Sequence, residues 1–215
     1  MGYSVLVVGL GRFGTAAALE SMALGHEVLA IDNDPVRVNR IAPQVTHAME
    51  LDAGDEAALR SIGAGDFEYA IIAISSSIES SIFATMAVKT LGAHHIVAKA
   101  ASELHGAILE RVGAERVVYP EQEVGARVAH ILGVPDVLDY LDVGPQFGIA
   151  RIRVPTAYVG RTLADVDLRG RFGLTPVAIR RGRKVTVIPH RDERLGSSDE
   201  LILLGREDGL DELGG

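Results

Sequence analysis

Residues 5–34 constrain this chain more than any other stretch. An apolar run at 5–8 meets Gly9-Leu10-Gly11-Arg12-Phe13-Gly14, a helix-like segment follows, and a second apolar run at 28–31 ends in Asp32. Each part of that order has a physical reason. Gly9 permits a tight turn off a strand, Gly11 lets backbone N–H groups approach a pyrophosphate, and Gly14 lets helix and strand pack closely. The helix N-terminus favours negative charge. Asp32, eighteen residues beyond Gly14, can accept hydrogen bonds from both hydroxyls of a ribose, with Asn33 beside it. Strand, glycine turn, helix, strand and carboxylate therefore predict a nucleotide site. A glycine turn that merely joined strand to helix would have no need of Asp32.

The next segments repeat this alternation. Strands are expected at 4–8, 27–31, 46–49, 69–74, 95–99 and 116–118, and helices at 12–24, 35–41, 55–62, 78–89 and 102–111. Six strands separated by helices predict an α/β, doubly wound, Rossmann-like parallel sheet over 1–119. Gly25 marks the end of the first helix, Asp34-Pro35 opens the second, and Ser102 can cap the fifth. A helical connector or dimerisation hinge is expected over 120–142, with 121–132 helical, an interruption at Gly133-Val134-Pro135, and a helix resuming at 136–141. Val124, Val128, Ile131, Leu132, Val137, Leu138 and Leu141 form its apolar stripe, which packs either on its own domain or on a second copy. From 143 the grammar changes: strands at 149–154, 175–180, 184–188 and 200–204, a helix at 163–171 capped by Thr162, and a hairpin turn at Gly182. This is a second, small α+β domain. At roughly 70 residues it stands near the lower limit for independent stability, so dimerisation is expected.

Bulk composition fits that architecture. Hydrophobic residues make up 47% of 215 while aromatics are 5% and Trp is absent, so the interior is built from Val, Ile, Leu and Ala, as in a sheet covered on both faces. No apolar run reaches the ~18 residues needed to span a bilayer. No charged n-region precedes the first strand, and there is no Cys, which together suit a cytoplasmic protein. A formal charge of −8 argues against general nucleic-acid binding. The seven histidines lack metal-ligand spacing and read as structural or exposed.

Several side chains can complete a nucleotide site. Arg12, inside the glycine turn, can bind terminal phosphate oxygens of its own site or of a neighbour's ligand, or stand exposed. Lys99 ends the fifth strand, where ligands of open α/β sheets bind. Asp52-Ala53 lie where an adenine would rest, and Ile74-Ser75-Ser76 face the same crevice, with Ser76 or Ser77 also able to cap the next helix. Glu121 follows Tyr119-Pro120; facing a triphosphate, its carboxylate would need an intervening Mg²⁺ or Ca²⁺. Arg169, Arg171, Arg180, Arg181, Arg183 and Lys184 make a stretch without acids, either a solvated helix end and hairpin tip or an anion pocket. What is missing also informs: no nucleophile elbow, Walker lysine, paired catalytic carboxylates or Tyr-x-x-x-Lys appears. The set holds a nucleotide and has no group poised to convert it.

These residues resemble the cytoplasmic regulators of Trk/Ktr-type potassium uptake, built from RCK (regulator of potassium conductance) domains. GLGRFG at 9–14, GHEVLAID at 25–32, FEYAIIAI at 67–74, VAKA at 97–100 and GAERVVYPE at 113–121 look like that family's nucleotide lobe. VGRTLADVDLRGRFGLTPVAI at 159–179 and DELILLG at 199–205 look like its C-terminal lobe. The resemblance implies a non-enzymatic subunit that binds ATP or ADP, with NAD(H) as a further candidate. In it Arg12 would reach a γ-phosphate across a dimer contact, Lys99 would assist, and Glu121 would place a divalent cation beside ATP. It further implies homodimers assembled into an octameric ring on the inner face of the membrane, docked to a K⁺-translocating subunit. Cyclic di-AMP binds the C-terminal lobe in some members, and Arg169 and Arg171 stand at suitable positions. Ser75-Ser76 depart from a glycine often found there. An NAD-dependent oxidoreductase is the competing expectation: Asp32 suits NAD(H) and repels the 2′-phosphate of NADP(H), but the proton-transfer group such an enzyme needs is missing.

Overall fold

The computed structural model describes residues 2–133 and 136–214. The chain divides into two compact units, 1–120 and 121–215.

The first unit carries a six-stranded parallel sheet in the order β3-β2-β1-β4-β5-β6. Its strands are β1 (Ser4–Val8), β2 (Glu27–Asp32), β3 (His47–Glu50), β4 (Tyr69–Ile72), β5 (His95–Lys99) and β6 (Arg116–Val118). Between them run α1 (Arg12–Ala23), α2 (Pro35–Ile41), α3 (Glu56–Ser61), α4 (Ile78–Thr90) and α5 (Glu103–Val112). The doubly wound reading holds. The apolar strands β1, β2, β4 and β5 bury residues on both faces and split the core in two. Val5, Val7, Val28 and Ala30 pack toward α1 and α2, while Leu6, Val8, Ile31, Ile72 and Ile96 pack on the opposite side.

Local chemistry sets the helix starts. Asp34 accepts from Val36 N–H with Pro35 in the first turn of α2, Asp55 caps α3, Ser77 caps α4 and Ser102 caps α5. Satisfying these orphan donors is worth about 1 kcal/mol at each end. α1 differs. It begins at Gly11 without a side-chain cap and with no acid in its first turn.

The second unit pairs an antiparallel five-stranded sheet, in the order β10-β9-β11-β8-β7, with short helices. Its strands are β7 (Val137–Gly144), β8 (Phe147–Arg153), β9 (Thr175–Arg181), β10 (Lys184–Val187) and β11 (Asp199–Arg206). Its helices are α6 (Pro120–Gly133), α7 (Leu163–Val166), α8 (Leu168–Phe172) and α9 (Glu207–Gly214). Alternating residues of β8 and β11 (Ala150, Ile152, Leu201, Leu203) bury one sheet face under Leu163, Val166, Leu210 and Leu213.

Two expectations are corrected here. The helix resuming at 136–141 is strand β7: Val137 and Tyr140 are buried and the segment pairs with β8. Val134 and Pro135 of the expected interruption lie outside the described residues. The single helix over 163–171 is two, because Asp167 takes a left-handed conformation (φ 50°) that ends α7 while its side chain accepts from Gly170 N–H to start α8. Along α6, Ile131 packs into the unit's core, whereas Val124, Val128 and Leu132 are exposed.

Candidate nucleotide-binding cleft

β1 and β4 are neighbours whose connections leave in opposite directions, and the sheet opens at their carboxyl ends. There Gly9 turns with φ 95°, its N–H donating to Ile31 O (2.8 Å), and a Cβ at Gly9 would come within 3.0 Å of the Ala73–Ile74 backbone. Gly14 packs tighter still: a Cβ there would meet Gly9 O at 1.8 Å and Ala73 Cβ at 2.9 Å. Gly11 has no atom within 4 Å of where its Cβ would stand. Two of the motif's glycines are thus required by packing, and the third faces open space.

That space is a cleft of about 230 Å³. The first turn contributes Gly9 and Gly11, the end of β2 contributes Asp32 and Asn33, and the loop after β3 contributes Asp52, Ala53 and Gly54. The loop after β4 adds Ile74, Ser75 and Ser76, and α4 adds Ser80. Since α1 lacks a side-chain cap, its first-turn N–H groups are available to an anion beside Gly11.

Asp32 is buried, with 4% of its side chain exposed. Its Oδ2 accepts from Leu10 N–H at 2.5 Å and its Oδ1 from Asp34 N–H at 2.9 Å. The turn itself uses the carboxylate, so the premise that a merely structural turn would not need Asp32 does not hold. Arg37, on the first turn of α2, places Nη1 3.4 Å from Asp32 Oδ2 and Nε 3.3 Å from Asp34 Oδ2. Arg37 also lines the cleft, as do Gly54 and Ser80, and sequence reasoning passed over all three. The signal for Arg37 was its spacing, three residues after an N-cap aspartate in a Pro-opened helix.

Of the residues expected in the site, Gly9, Gly11, Asp32, Asn33, Asp52, Ala53, Ile74, Ser75 and Ser76 come together in this cleft. Leu10, Arg12, Phe13, Gly14, Lys99 and Glu121 are not among its lining residues. Leu10 is buried and ties the turn to Asp32, and Gly14 sits beneath the turn. Arg12 is exposed and lines a separate, shallower groove of about 510 Å³ along α1 with Thr15, Ala16, Leu19, Arg37 and Arg40. Lys99 closes β5 and is buried. Glu121 is exposed in the first turn of α6, in the second unit, and its role toward a cation comes from the resemblance alone. Among the described residues, no three His, Asp or Glu side chains gather as a metal cage, and no helix is long and apolar enough to cross a membrane.

Residues 5–120 match the family model of the TrkA-N domain and residues 149–214 that of the TrkA-C domain. The chain is 37% identical over 199 residues to the Ktr system potassium uptake protein C of Bacillus subtilis, covering 93% of this chain and 90% of that protein. It is 33% identical over 201 residues to the Ktr system potassium uptake protein A of the same organism, covering 94% and 90%. Among solved structures, the GsuK channel bound to NAD shares the fold, with a TM-score of 0.66 at 20% identity. The likeness takes in 99% of this chain and 38% of that channel, so this chain spans well under half its length.

Proposed function

This chain belongs to the Ktr branch of the TrkA-N/TrkA-C (RCK) potassium-uptake proteins, and on that premise we propose that it is a nucleotide-sensing regulatory subunit of a membrane K⁺-translocating system. The observation that carries the reading is the cleft: an uncapped helix N-terminus and an unobstructed Gly11 at one end, a buried carboxylate at the other. The first pair suits a pyrophosphate and the second a ribose. Asp52-Ala53 and Ile74-Ser75-Ser76 supply the walls between which a base would lie. The lining offers groups that hold and orient, and the role is one of binding without turnover.

The ligand is an adenine nucleotide, ATP or ADP. The γ-phosphate is what distinguishes the two, and a ligand shifts a conformational equilibrium only through differential affinity for its states. Arg12 stands outside the cleft on the α1 groove, and we assign it to a neighbouring subunit's ligand in a ring of homodimers. Each charge-assisted contact contributes about 1.5–3 kcal/mol. Several such contacts per ring exceed the roughly 5.5 kcal/mol that swings a population from 1:99 to 99:1. NAD(H) is the second reading, favoured by Asp32, whose charge accepts ribose hydroxyls and repels a 2′-phosphate.

The test is K⁺ flux through proteoliposomes holding the membrane subunit and this protein. Flux should differ between ATP and ADP, and Arg12→Ala should shrink the difference while both nucleotides still bind. Equal flux in the two nucleotides with the unmodified chain would refute the switch.

A further inference from the structure

Arg37 lies outside the glycine motif, yet it lines both the cleft and the α1 groove. It reaches back from α2 to a carboxylate that is nearly saturated. Asp32 Oδ2 accepts from Leu10 N–H and from Arg37 Nη1, and Oδ1 accepts from Asp34 N–H. A carboxylate offers about four lone-pair positions, two on each oxygen. One is left on Oδ1 and none on Oδ2. A ribose gripped through both vicinal hydroxyls needs an acceptor on each oxygen. Of the two contacts on Oδ2, that from Leu10 is short, buried and part of the turn's backbone. The contact from Arg37 is long, at 3.4 Å, and 45% of that side chain is exposed. The arginine is the partner that can yield.

We propose that Arg37 is a latch displaced by ribose, a residue that sets how strongly the cleft prefers a ribose over a 2′-deoxyribose. The inference rests on the nucleotide reading of the cleft. On entry, the 3′-hydroxyl takes the remaining position on Oδ1 and the 2′-hydroxyl replaces Arg37 Nη1 on Oδ2. Arg37 keeps Asp34 through Nε and turns its Nη end toward the groove it shares with Arg12 and Arg40. Displacing the arginine offsets part of what the second hydroxyl gains, so the unmodified chain separates the two sugars only weakly.

The experiment is calorimetric titration of the full chain, of Arg37→Ala and of Arg37→Met, each with ADP and with 2′-deoxy-ADP. With the latch removed, preference for ADP over the deoxy analogue should rise about fivefold in both variants. A general loss of positive charge weakens both ligands alike and leaves the ratio untouched. An unchanged ratio, with both ligands bound, overturns the latch and leaves the nucleotide reading standing. A shift in Arg37→Ala alone overturns it too, because Met keeps the aliphatic stem and the effect would then be one of packing. If neither ligand binds the unmodified chain, the nucleotide reading fails and takes the latch with it.

Discussion

Gly11→Ala and Gly14→Ala change the same motif by one methyl group three residues apart, and the geometry predicts opposite consequences. At Gly14 the new Cβ would stand 1.8 Å from Gly9 O and 2.9 Å from Ala73 Cβ. Restoring ordinary contact requires α1 to withdraw from the first turn by roughly 1.5 Å. Overpacking of this kind costs about 1–3 kcal/mol, against which the better helix propensity of Ala returns about 1. The unfolding transition of the first unit should fall by several degrees, on the order of 5 °C. At Gly11 the backbone has φ −66° and ψ −173°, which any residue adopts, and nothing lies within 4 Å of the added carbon. Ala is a poorer N-cap than Gly, so the cost is below about 1 kcal/mol. The methyl group, however, points into the space where a pyrophosphate would meet the α1 N–H groups. Losing one charge-assisted hydrogen bond there weakens binding about tenfold or more. Thermal melts and ADP calorimetry on both variants read the two effects separately. Full ADP affinity in Gly11→Ala would refute the placement of the phosphates, and an unchanged melt in Gly14→Ala would refute the packing argument.

Other consequences follow from single contacts. Asp32→Ala strands the Leu10 and Asp34 N–H groups and should destabilise the first unit by about 2 kcal/mol or more, whereas Asp32→Asn keeps one carbonyl acceptor and should lose less; denaturant melts of equal midpoint would contradict this. Arg127 holds α6 to β7 through two bonds to Asp139, at 2.6 and 2.7 Å, so Arg127→Ala should speed amide exchange along α6. The hydrogen bond from Arg127 keeps the Asp139 carboxyl below its usual range, so this contribution is complete above about pH 4 and disappears as acid protonates the folded carboxylate. An exchange difference between the two proteins that did not shrink as the pH was lowered would count against the ion pair. Burial pushes His105 below its ordinary value, so the unfolded chain takes up its proton first. Stability should therefore fall as pH drops below about 6.5, and His105→Gln should flatten that part of the melting curve; an unchanged slope would remove His105 as its cause.

How much of this was readable in the sequence depended on whether neighbours along the chain or across the fold decide a residue's role. Asp34, Asp55, Ser77 and Ser102 act on N–H groups within three residues, and β1, β2, β4 and β5 are largely apolar runs, so the first unit was legible almost element by element. Val137, Leu138 and Leu141 fit a helical stripe as well as a strand, and only pairing with β8 decides for β7. Asp167 has a strong local preference for a break, but a window scored for average propensity smooths over it. α9 went unread because Leu210 and Leu213 are its sole large apolar residues among acids and glycines. In the site, the glycines and Asp32 announced themselves through spacing. Arg37 did not, because its role comes from a side chain reaching across to a different loop. The same distance effect moved Arg12 out of the cleft: one position along a helix turn is enough to point a side chain into another groove.

The central claim is that the cleft between the glycine turn and Asp32 holds an adenine nucleotide and leaves it chemically intact. Incubating the purified chain with ATP or ADP, measuring bound nucleotide by equilibrium dialysis and analysing what is recovered by chromatography tests both halves at once. Saturable binding of one nucleotide per chain, returned unaltered, is the predicted result. No binding of either nucleotide, or steady conversion of the added nucleotide to product, would contradict it.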